Sequence, residues 1–141
     1  MNAITVKPQG FEHKSVIYFK CDFRGRNTEY DGYKNGKGGL ERPFLIISGT
    51  TYNAENNNDG IYALPITSAG EGHTFSHQIA SDDLDYPEKG RSLIGSVILC
   101  DKICRVGHQD KWSEQTYGIK VRYNSMNTIK NKMNEFIKNT F

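Results

Sequence analysis

Two short apolar runs in this 141-residue chain end in groups able to do chemistry. Residues 41–48 read E-R-P-F-L-I-I-S, with Arg42 at the mouth of the run. Residues 64–68 read L-P-I-T-S and end in the hydroxyls of Thr67 and Ser68. A guanidinium makes forked, charge-assisted hydrogen bonds to phosphate oxygens. A threonine converging on it from an adjacent strand would clamp the same phosphate from a second side. Glu41, beside Arg42, is a possible assistant, although neighbours on a strand face opposite ways. His13, His73, His77 and His108 have an intrinsic pKa suited to proton transfer. Of these, His73 follows Thr67 and Ser68 in the same loop and is the preferred candidate. No metal-binding histidine pair, G-x-S-x-G turn or P-loop is present. No metal or cofactor is expected.

The elements that must position these groups are short. Residues 15–23 are β-branched and aromatic and read as a strand. Residues 24–41 form a glycine-rich loop, expected to be flexible and too long to be mere connection. It carries Tyr30, Tyr33, Lys34 and Lys37. Strands are expected over 43–48 and 61–66, joined by a polar connection over 51–60 with a strong turn signal at 56–60. Further strands are expected over 75–80, 94–100 and 118–123. Residues 1–14 read as an irregular arm. At the end of the chain, Met126, Ile129, Met133, Phe136 and Ile137 recur at helical spacing, giving a terminal amphipathic helix over 125–139 with Asn124 or Ser125 as N-cap. The reading is mainly β, a small bent antiparallel sheet with a C-terminal helix, in one domain spanning 1–141.

Composition narrows the function only a little. A net charge of +2 does not announce a nucleic-acid binder, although Lys34, Lys37 and Arg42 cluster near the glycine-rich loop. Three cysteines, an odd number with no paired framework, argue against a secreted disulfide scaffold. Cys21 and Cys100 lie in strand-like runs and read as buried small hydrophobes. No apolar run reaches membrane-spanning length and no signal-peptide layout opens the chain, so a cytoplasmic setting is expected.

Four segments together resemble the MazF/PemK (Kid) family of toxin ribonucleases, over roughly residues 15–106. They are Cys21-Asp22-Phe23 closing the first strand, the 41–48 run followed by Tyr52-Asn53, the 63–68 run A-L-P-I-T-S, and the 96–103 run S-V-I-L-C-D-K-I. Gly49-Thr50, Lys102 and Cys104 depart from the family's usual residues; Arg42 and Thr67 do not. The resemblance implies an SH3-like (CcdB/MazF-type) small barrel, a homodimer, cleavage of single-stranded RNA and a cognate antitoxin that blocks the site. It gives Arg42 and Thr67 the catalytic roles, with 2′,3′-cyclic phosphate and 5′-hydroxyl products. Ser68, Glu41, His73, Tyr30, Tyr33, Lys34, Lys37 and Tyr52 are then candidates for substrate binding, the tyrosines by stacking on bases and the lysines by contacts to phosphate. Two alternatives stay open. One is a CcdB-like inhibitor of a target such as gyrase, although this chain lacks the tryptophan-containing end of those proteins. The other is an inactive SH3-like module that binds RNA or peptide.

Overall fold

The computed structural model describes residues 12–20, 41–56, 61–68, 73–106, 112–113 and 118–141. Strand β1 (Val16–Lys20) pairs antiparallel with β2 (Glu41–Ile46). A helix, α1 (Thr50–Asn56), leads to β3 (Ile61–Thr67), which returns antiparallel along β2. Short strands follow: β4 (Ser76–Gln78), β5 (Val97–Leu99), β6 (Cys104–Val106) and β7 (Trp112–Ser113). The chain closes with α2 (Tyr123–Thr140). The strands order as β4–β5–β3–β2–β1–β7, with β6 also on β3. β4 and β7 are the ends of this order, so over the described residues the expected barrel is an open, antiparallel sheet.

β3 is the hub. On one edge it pairs with β2; on the other it pairs with β6 through residues 61–63 and with β5 through residues 66–67. Pro65 occupies the interval in which that second edge changes partner. Proline donates no N–H, and such an irregularity is where it is tolerated inside a sheet.

Alternation along the strands builds two buried clusters. Val16, Leu45, Leu64 and Ile66 join Ile98, Val121, Met126 and Ile129 in the larger one, with Met133 packed against it. Ile17, Phe44, Ile46, Ile61, Ala63, Cys104 and Val106 form the smaller one from alternate positions. Burial on both faces explains why β2 and β3 read as continuous apolar runs. The predicted face of the terminal helix supplies Met126 and Ile129 to the larger core, while Phe136 meets Phe75 edge-on at 5.5 Å.

Three expectations need correction. The polar connection contains α1, whose sole buried residue is Asn53. Residues 118–123 make no ladder strand. Lys120 and Val121 form isolated bridges to Ser15 and Leu84, and the helix starts at once. The N-cap position belongs to Arg122, without a side-chain cap. Ser125 instead donates its hydroxyl to Asp83 Oδ1 at 2.6 Å. Cys100 and Cys104 are buried, and burial pushes the Cys100 thiol up to about 12; Cys21 lies outside the described residues.

Candidate active site

The ladder between β2 and β3 decides which residues meet. Phe44 stands across from Pro65, Leu45 from Leu64 and Ile46 from Ala63. The ladder ends at Phe44 and Pro65; the same register continued two residues leads to Arg42 on β2 and Thr67 on β3. Directly opposed residues of an antiparallel pair share a face and lie about 5 Å apart at their Cα atoms. Both residues are half-buried, and each ends an apolar run at the edge of a buried cluster. Ser68 follows and is exposed.

The far end of this hairpin is fixed by a polar clamp. The Ser48 hydroxyl donates to Asn53 Oδ1 at 2.5 Å and accepts from the Tyr62 N–H at 3.0 Å. Asn53 Nδ2 returns a bond to the Ser48 carbonyl at 3.0 Å, and the Asn53 N–H bonds to the Gly49 carbonyl. Asn53 is wholly buried. This is the physical content of a serine followed by Tyr-Asn. The asparagine ties α1 to the ends of β2 and β3, and so holds the register of the hairpin.

The row through Arg42 and Thr67 extends across the sheet. Phe19 is the partner of Arg42 on β1, and Trp112 that of Phe19 on β7. On the other side Val97 is the partner of Thr67, and Gln78 that of Val97. Val97 is buried and Gln78 is exposed.

Not every predicted residue lies at this row. Glu41 opens β2 opposite Lys20, one step before Arg42 in the alternation. Tyr52 sits on α1, at the closed end of the hairpin. It stacks on Tyr62 with centroids 6.0 Å apart, and Arg105 pairs with Tyr62 from β6. Four residues of strand rise separate that end from Arg42, roughly 13 Å. His73 is exposed, and its carbonyl accepts the Ser76 hydroxyl. β4 runs parallel to β3, and Phe75 at its start lies beside Cys100. In these ladders the level of Thr67 is reached at Gln78, five residues after His73. Tyr30, Tyr33, Lys34 and Lys37 lie outside the described residues. Sequence reasoning passed over Val97 and Gln78. Only strand register puts them beside Thr67, and a three-residue strand carries too short an alternation to show it.

Another histidine is occupied structurally. His77 Nε2 lies 3.0 Å from Asp83 Oδ2, which also accepts the Ala80 N–H at 2.8 Å. With Ser125 on the other oxygen, Asp83 ties β4 to the start of α2. Burial works to raise the Asp83 pKa, but the Ala80 N–H, the Ser125 hydroxyl and His77 outweigh it and hold it below the usual value.

The description "PemK-like, MazF-like toxin of type II toxin-antitoxin system" matches residues 20–137. No curated protein matches. Among solved structures, MazF (Form-I) from Deinococcus radiodurans is similar with a TM-score of 0.61 at 15% identity, over 92% of this chain and 97% of that one. A MazE-MazF structure (Form-III) from the same organism gives 0.60 at 14%, over 91% and 96%. A second (Form-II) gives 0.58 at 14%, over 91% and 95%. At such identities these likenesses speak for the fold. Because the family match spans most of the sequence, the chain belongs to the PemK-like, MazF-like toxins of type II toxin–antitoxin systems.

Proposed function

We propose that this chain is the toxin of its pair and acts as a metal-independent, sequence-specific endoribonuclease on single-stranded RNA in the cytoplasm, inhibiting translation and growth. The observation that carries the reading is the β2–β3 register, which continued past Phe44 and Pro65 leads to Arg42 and Thr67 at the open end of the hairpin. In the reaction the ribose 2′-oxygen bonds to phosphorus and the bond from phosphorus to O5′ breaks. The 2′-hydroxyl proton leaves to a base, and O5′ gains a proton from an acid. Charge gathers on the non-bridging oxygens between these events. The Arg42 guanidinium and the Thr67 hydroxyl donate to those oxygens from two sides, and the stabilisation grows as the charge does. The products are a 2′,3′-cyclic phosphate and a 5′-hydroxyl. Ser68, exposed next to Thr67, adds a donor for the neighbouring backbone.

The active species in this reading is a homodimer, and a cognate antitoxin silences it. Solved MazE-MazF structures of the same fold support such a partner.

Purified protein incubated in EDTA with a mixed single-stranded RNA tests the proposal. The wild type should release fragments with cyclic-phosphate ends. Arg42→Ala and Thr67→Val should each lose roughly 10²–10³ in rate, the usual loss for one donor to a developing oxyanion. A folded wild-type dimer that cuts no member of a broad RNA panel would overturn the ribonuclease reading, and would favour an inhibitor that acts by binding.

A further inference from the structure

The row that holds the candidate clamp also holds a side-chain amide that the phosphate chemistry leaves unused. Thr67 and Gln78 flank Val97 on its two sides, from β3 and β4. Residues directly opposed in this way present their side chains on one face of the sheet. The reverse face at these positions belongs to the larger core, through Ile66 and Ile98. Two strand spacings put Gln78 about 10 Å from Thr67. That is the separation between a phosphate held at Thr67 and the far edge of a base attached to the adjoining ribose. Val97 between them is apolar and buried.

The amide is also oriented. Gln78 Nε2 donates to the Gly95 carbonyl at 3.2 Å. Gly95 has a φ of +95°, which a side chain there would strain. Its own N–H bonds to the Ile79 carbonyl, and the Ile79 N–H bonds to Ser96. The carbonyl that holds the amide is therefore fixed to the same strand that carries it. One Nε2 hydrogen is taken. The second hydrogen and Oε1 remain on an exposed residue as a donor beside an acceptor.

We propose that Gln78 is a specificity-determining residue: it reads the base next to the scissile phosphate through its side-chain amide. The amide both donates and accepts, whereas a carboxylate in its place only accepts. The inference rests on the ribonuclease reading for the identity of its substrate.

The test uses uncleavable 2′-fluoro oligonucleotides that differ at one position, with affinity read by fluorescence anisotropy. Cut-site sequencing on ordinary RNA runs beside it. Wild type should prefer one base at one position by about five- to hundredfold, the range of a good base contact. Gln78→Leu should lose that preference while still cutting RNA. Gln78→Glu, which can only accept, should change it. Melting temperatures of both variants should match the wild type, since the residue is exposed. Variants that keep the wild-type base profile, or bind every oligonucleotide equally more weakly, overturn the role of Gln78 and leave the ribonuclease reading standing. Cleavage with no base preference at any position in the wild type does the same. No binding and no cleavage by the wild type overturns both.

Discussion

Asn53 has an amide side chain and no solvent exposure, a combination that is costly unless every polar atom finds a partner. It finds them in the hydroxyl and carbonyl of Ser48. Asn53→Ala leaves both of those groups short of a partner. The expected loss of stability is about 1–3 kcal/mol in chemical denaturation. Because the clamp sets the β2–β3 register, the same variant should lose cleavage beyond its loss of folded protein; unchanged specific activity per folded molecule would separate Asn53 from the site. The candidate clamp itself was legible in the sequence, because Arg42 and Thr67 are polar residues ending apolar runs. Gln78 was not, because its place follows from which strands are neighbours.

At the scale of elements, the Asp83 hub holds β4 to α2 by bonds to charged carboxylate oxygens. Its folded pKa is depressed from an ordinary 3.8, so the contribution is complete above that value and disappears as pH falls through the folded one. Wild-type melting temperature should therefore fall on acidification below about pH 4, and Asp83→Asn should start lower at neutral pH and fall less steeply. Parallel curves would deny the hub this role. The longer elements were readable for simple reasons. β2 and β3 are apolar on both faces, and α2 carries a clear helical period. α1 was not, since its sequence T-T-Y-N-A-E-N has no apolar period and its anchor is an asparagine. β6 was hidden by its brevity. The regular alternation of 118–123 misled because its backbone hydrogen bonds divide between two segments: Ile119 and Val121 with Val16 and Lys14, and Lys120 with Asp85.

Across the whole molecule the larger core joins the sheet, the loop over 81–96 and the terminal helix. Gly90 marks how closely that loop is applied. A Cβ there would stand 2.8 Å from Leu84 Cδ1 and 3.2 Å from Ile119 Cγ2, both on buried side chains. Gly90→Ala should cost about 1–3 kcal/mol by overpacking, measured as a lower denaturation midpoint at unchanged m-value. A neutral result would mean that Leu84 has room to turn aside. The sheet has a second consequence at this scale. Arg42 and Thr67 belong to one hairpin, and Gln78 to a strand that reaches it only across β5. On the proposed reading, cutting belongs to the hairpin and choosing to a strand beyond it, so a change confined to Gln78 would redirect the protein and leave its blade untouched.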